Sequence, residues 1–198
     1  MTNKFTYTPV FLTGLIDGII VPLTIFSFFS RVLQQNDLAL QITLAGGFTL
    51  AILLAIGAYY TRKAELESSE ELKLLKIYAN LGINETIQQQ MAKDTIEEQQ
   101  QWVQEWNEGE NAALNLSPVN YALVVGGGYI AGLAIVLLST AFINSPGLQF
   151  LILPLAMLAI AGFMKYKISS QNPYIGLLTV VISGAMAAIS NWMVAGLF

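Results

Sequence analysis

Hydrophobic and polar positions follow one another along this chain in long blocks. Five apolar runs cover residues 9–30, 38–60, 119–142, 147–164 and 174–197. Each run approaches the length of about 20 residues with which a helix crosses the hydrocarbon core of a bilayer. The pattern predicts an all-α integral membrane protein with five transmembrane helices. It divides the chain into two spans in residues 1–60, a polar insertion in residues 61–117 and three spans in residues 118–198.

The polar insertion has a helical pattern of its own. Apolar spacing and capping residues predict three helices, at about residues 62–81, 84–91 and 94–108, with the first continuing the second span. Glu67, Glu70 and Glu71 share one helical face, and Glu98 and Glu105 share another. Two such faces can converge on a divalent cation, because carboxylate oxygen suits hard metal ions. The alternative interpretation is an acidic face exposed to solvent.

Lysine and arginine are distributed unevenly between the two ends of the predicted spans. If the insertion is cytoplasmic, the opposite side holds Arg31 and the cytoplasmic side holds the other eight basic residues. Cytoplasmic loops carry the excess of Lys and Arg in membrane proteins. We therefore predict a cytoplasmic N-terminus, a retained first span, and Phe198 on the far side. The expected location is a bacterial plasma membrane.

Composition narrows the possible chemistry. The chain is 55% hydrophobic and 11% charged, against about 25% charged residues in a soluble domain. Its net charge of −4 argues against a nucleic-acid partner. It has no Cys and no His, so thiolate sites are excluded and no nucleophile–base pair is visible. We predict neither an enzyme nor a permanently bound cofactor.

Asp17 stands in the middle of the first apolar run. A carboxylate at bilayer depth costs about 2.5–3.5 kcal/mol on insertion scales, and such residues usually mark an ion or proton pathway. In a two-fold homodimer, the Asp17 residues of facing first spans would line a shared cavity. The alternative is a packing role, in which Asp17 accepts a hydrogen bond from Thr13, Ser190 or Asn191. For Asn191 itself, a role in helix packing is the favoured interpretation.

The residues around Asp17 favour close approach of helices. Gly14 and Gly18 form a pair of small residues four positions apart, the spacing that lets two membrane helices pack closely. Pro22 has no amide proton and would leave the carbonyl near Gly18 without its helical partner. That carbonyl oxygen is a further candidate ligand for a cation.

These residues also carry a resemblance to a known family. The segment GLIDGIIVP at residues 14–22 is similar to the first-span signature of the vacuolar iron transporter family. The segment GAYYTRKAE at residues 57–65 resembles the family's exit from the second span into a Glu-rich cytoplasmic domain. Residues 118–132, with Gly126, Gly128, Tyr129 and Gly132, resemble the family's third span, and GAMAA at residues 184–188 resembles its fifth.

The resemblance implies a function. It implies a dimeric, proton-coupled transporter that exports Fe²⁺ or Mn²⁺ from the cytoplasm, with Asp17 as the translocation carboxylate. The cation, the proton, the lipid membrane and a second copy of the chain are then its partners. The family usually carries a pathway Glu and a pathway Met in the second span, where this chain has Gly46 and Leu54. The alternative is a non-transporting membrane scaffold or partner subunit derived from the same family.

Overall fold

Five long helices account for most of the described chain. The computed structural model describes residues 7–67, 77–78, 84, 87, 90–91, 116–142 and 148–197. The five helices are α1 (Tyr7–Leu33), α2 (Asn36–Glu67), α3 (Pro118–Phe142), α4 (Ile152–Ile168) and α5 (Pro173–Ala195). A short 3₁₀ turn, Leu148–Leu151, precedes α4. No strand occurs among these described residues.

The predicted all-α membrane fold is confirmed. All five helices are long and apolar enough to cross a membrane. The helix α4 begins at Ile152, five residues later than predicted, because the chain first makes the 3₁₀ turn. The helix α2 runs past the predicted end of its span to Glu67, since no Pro interrupts it there. In the rest of the insertion the structure describes residues 77–78, 84, 87 and 90–91, of which 77–78, 87 and 90–91 are helical. The remainder of the helices predicted there lies outside the described residues.

The helix α1 lies at the centre of the bundle. It packs against all four other helices, and 61% of its apolar window is buried, against 11% for α5. Its fully buried side chains Ile19 and Leu23 belong to one core with Val136 of α3, Leu158 of α4 and Ala188 of α5. Burial of α1 fixes the depth and rotation of every residue on it, including Asp17.

Glycines bring α1 and α3 together backbone to backbone. A Cβ atom placed on Gly18 would lie 2.6 Å from the Cα of Tyr129, and one on Gly14 would overlap the backbone at Val125. In the other direction, a Cβ on Gly132 would lie 2.6 Å from the carbonyl carbon of Gly18. The predicted close approach at Gly14 and Gly18 is therefore made to α3 of the same chain. Whether two first spans also meet in a dimer stays a prediction.

Basic side chains hold the two ends of the bundle. Beyond the middle of α1, the Arg31 guanidinium lies 3.7 Å above the Trp192 ring and donates to the Trp192 carbonyl at 3.1 Å, which ties α1 to α5. At the opposite end, the buried Arg62 donates from Nε to the Leu116 carbonyl at 3.2 Å and pairs with Glu65 at 2.9 Å. Arg62 thus joins the two points at which the chain enters and leaves the insertion.

Candidate functional site

A cavity of about 620 Å³ lies between α1, α2 and α3 and is open on one side. Each helix lines it with one stripe of residues at helical spacing. The stripe of α1 is Thr13, Asp17 and Val21, and that of α3 is Tyr121, Val125 and Tyr129. The contribution of α2 consists of Leu50, Leu53, Leu54, Gly57, Ala58 and Thr61. Among the described residues that line the cavity, most are apolar and Asp17 is the one acidic side chain.

Asp17 lies towards the middle of α1 and lines this cavity. It is ten residues beyond the start of α1, which at ~1.5 Å per residue places it about 15 Å from that end. Its side chain is half-buried. The contact of Gly18 with the Tyr129 backbone sets Asp17 and Tyr129 at the same depth. The structure therefore places a carboxylate well inside the membrane-spanning helix α1, on the wall of an open cavity.

Each of the three side chains proposed as packing partners of Asp17 donates a hydrogen bond to a backbone carbonyl. Thr13 donates to the Pro9 carbonyl at 3.0 Å, Ser190 donates to the Ala187 carbonyl at 3.1 Å, and Asn191 donates to that carbonyl at 2.8 Å. Each of these bonds stays within one helix. Within the described ranges, the ammonium of Lys165 is the cation whose charge reaches Asp17.

The remaining candidates from the first span lie beside the cavity and do not line it. Gly14 and Gly18 face α3, and Pro22 is fully buried in the core. Asn191 is held by the preceding turn of α5 and lines no part of the cavity. These residues shape the walls and the helix contacts around Asp17.

The acidic candidates of the insertion are not brought together by the described structure. Glu67 ends α2, and Glu70, Glu71, Glu98 and Glu105 lie outside the described residues. In the part of the chain that the structure describes, no three acidic side chains gather into a group that would hold a metal ion. The two predicted acidic faces stay a prediction.

Sequence reasoning did not single out two residues of the cavity as site residues. Tyr129 lies in the glycine-rich part of the third span, and Leu54 stands where the resemblance implies a pathway Met. The signal for Tyr129 is its spacing: Tyr121, Val125 and Tyr129 recur every four residues and so share one face of α3. Which neighbour that face meets depends on helix packing, which periodicity does not specify.

Comparison with models of known protein families gives a match. The model of the VIT family matches residues 61–196, which covers the insertion and the last three helices and amounts to well over half of the chain. A search of curated proteins finds no match.

Proposed function

Since the chain belongs to the VIT family, a family of metal-ion transporters, we propose that it moves Fe²⁺ or Mn²⁺ out of the cytoplasm in exchange for protons. The observation that carries this proposal is Asp17, a carboxylate at mid-depth on the wall of an open cavity. An intramembrane carboxylate placed on a cavity is a functional site by default.

The exchange follows from the cost of an uncompensated charge. A carboxylate removed from bulk water is stabilised by either a proton or a cation, because each of them neutralises it. A divalent cation that arrives from the cytoplasm displaces the proton, and a proton that arrives from the far side releases the cation. Carboxylate oxygen and water are suitable ligands for Mn²⁺ and for Fe²⁺. One side chain thereby binds both species in alternation.

A homodimer would close the open side of the cavity. The core-facing positions of α1 are buried, but Thr13, Asp17, Val21, Thr24 and Phe28 are only half-buried. These five residues recur every three or four positions and form one stripe, which we call the open stripe of α1. A second copy packed against the open stripe would place two Asp17 carboxylates in one enclosed pathway. Two carboxylates match the charge of a divalent cation better than one.

The Glu-rich insertion is proposed to collect the cation on the cytoplasmic side. Its eleven Asp and Glu residues lie between residues 65 and 110. Arg62, bonded to Leu116 and Glu65, anchors the insertion directly at the end of α2. Thr61, next to Arg62, lines the cavity. A cation bound by the insertion would therefore be delivered close to the entrance of the cavity.

Asp17→Asn tests the proposal, because it keeps the shape of the side chain and removes its charge. In proteoliposomes, Mn²⁺-dependent proton flux should fall roughly 100-fold, which corresponds to ~3 kcal/mol. The protein should remain folded, with equal or higher thermal stability, since a half-buried charge is removed from the membrane-spanning region. The measurement combines a fluorescent pH indicator with metal uptake on the same vesicles.

Two comparisons make the result specific. A variant with Glu67, Glu70 and Glu71 changed to Ala should bind less metal in total while its flux still depends on Asp17. Wild-type protein that carries neither metal nor protons at any pH would rule out transport and favour the scaffold role.

A further inference from the structure

The hydroxyl of Tyr129 is buried without a hydrogen-bond partner. Its residue is 2% exposed, and within the described part of the chain its Oη is the buried side-chain polar atom that has no partner. Buried hydroxyl groups in folded proteins are almost always hydrogen-bonded to protein or to ordered water. The exception at Tyr129 therefore calls for a ligand or for water.

The residue that carries this hydroxyl lines the same cavity as Asp17. Both residues line it, and the contact of Gly18 with the Tyr129 backbone holds them at one depth. They are close enough for the charge of Asp17 to act on the phenol. The Asp-Gly pair thus has two functions: Asp17 supplies the carboxylate, and Gly18 leaves room for the backbone that carries Tyr129.

The cavity offers a hydrated cation few other polar groups at this depth. Val21, Leu50 and Val125 are apolar, and the proton of Thr13 is already bonded to the Pro9 carbonyl. A divalent cation with few carboxylate ligands keeps several of its waters, and a buried water needs two to four polar partners. A phenol can accept a hydrogen bond from water and donate one to a carboxylate.

We propose that Tyr129 is a positioning residue of the Asp17 site, whose hydroxyl holds a water ligand of the bound cation. In the absence of the cation, the same hydroxyl hydrogen-bonds water in the cavity. This inference rests on the proposed function, because it assumes that Asp17 binds a divalent cation.

Tyr129→Phe removes the hydroxyl and keeps the ring. Mn²⁺ is the probe, and its affinity for the purified full-length protein is measured by titration. Binding that is lost in Asp17→Asn is the Asp17-dependent binding. Tyr129→Phe should lower the affinity of the Asp17-dependent Mn²⁺ binding roughly 10-fold, as expected when a group that orients a metal ligand is lost. Tyr60→Phe is the matched control, since Tyr60 is 63% exposed and lies outside the cavity. It should leave the affinity unchanged.

Thermal unfolding separates a site role from a packing role. Without metal, Tyr129→Phe should unfold at the same or a higher temperature than wild type, because the lost hydroxyl had no protein partner. With Mn²⁺, the variant should gain less stability than wild type does. In a double-mutant cycle, Tyr129→Phe should have no further effect on affinity once Asp17 is Asn.

Different failures have different meanings. Asp17-dependent Mn²⁺ binding that is unchanged in Tyr129→Phe would overturn the role of Tyr129 and leave the proposed function standing. A lower metal-free unfolding temperature with unchanged affinity would assign Tyr129 to packing and also overturn the inference. If wild type has no Asp17-dependent Mn²⁺ binding, the proposed function fails, and this inference fails with it.

Discussion

Single residues of the cavity differ sharply in what they contribute. Of the described residues that line it, Asp17 is the one acidic group, whereas Leu54 contributes an aliphatic side chain from α2. The resemblance to the vacuolar iron transporter family implies a Met at the position of Leu54. The position implied for the Met thus faces the cavity. Gly46 stands at the position implied for a Glu; it does not line the cavity, and its neighbour is Ile25. One soft ligand and one carboxylate are therefore replaced by apolar groups.

Introducing a thioether at position 54 should change ion selectivity. Leu54→Met places a soft sulfur ligand in the cavity, and soft ligands favour Fe²⁺ over Mn²⁺. The ratio of Fe²⁺ flux to Mn²⁺ flux in proteoliposomes should rise several-fold. Stability should change by less than about 1.5 kcal/mol, because Leu and Met have similar volumes.

A methionine elsewhere on α2 serves as the control for Leu54→Met. Ile52 is 60% exposed and does not line the cavity, so Ile52→Met should leave the flux ratio unchanged. An equal rise in both variants would mean that selectivity does not depend on the cavity wall.

The contact between α1 and α3 is the element-level feature that builds the site. Four glycines, Gly14 and Gly18 on α1 and Gly128 and Gly132 on α3, remove the side chains that would separate the two backbones. Small residues of this kind drive helix association in membranes through close van der Waals packing. The contact leaves Asp17 and Tyr129 side by side on the cavity wall. The same glycines that stabilise the bundle therefore position the site.

A methyl group at this contact should destabilise the protein. In Gly18→Ala, the added Cβ would lie 2.6 Å from the Tyr129 Cα, and backbone atoms on both helices would have to separate. Overpacking of this kind costs about 1–3 kcal/mol. Thermal unfolding in detergent, followed by circular dichroism, should show a clear fall in the midpoint.

Gly127→Ala is the matched control on α3. A Cβ at Gly127 meets nothing within 4 Å, and Ala is favoured over Gly inside a helix by roughly 0.5–1 kcal/mol. This variant should be neutral or slightly stabilised. A similar loss of stability in both variants would assign the effect to helix flexibility and not to the contact with α1.

At the scale of the whole molecule, the five helices differ in how much of their surface is buried. The helix α1 is enclosed on most sides, but the apolar window of α2 is 22% buried. Beside α2, the open stripe of α1 is only half covered. The proposed dimer would cover the open stripe and enclose the cavity.

Cross-linking tests the proposed dimer directly, because the chain contains no natural Cys. Thr24→Cys places one thiol on the open stripe, so mild oxidation in membranes should give a covalent dimer. Met186→Cys, on the exposed face of α5 at 67% exposure, should remain monomeric on denaturing gels. Cross-linking of Met186→Cys alone would place the interface on α5 and contradict the proposal.

Hydropathy alone was sufficient to predict five membrane helices, because a bilayer requires about 20 apolar residues per helix wherever they occur in the chain. It also singled out Asp17, since a charge inside an apolar run is costly in any arrangement of helices. Both predictions depend on the solvent that surrounds the chain and need no knowledge of which helix packs against which.

Helix packing decided the rest of the site. The spacing of Gly14 and Gly18 predicted a close approach, but only the tertiary structure identified α3 as the partner. The same packing brought Tyr129 and Leu54 to the cavity of Asp17. A helical period specifies which residues share a face, and a face acquires its chemistry only from the helix that it meets.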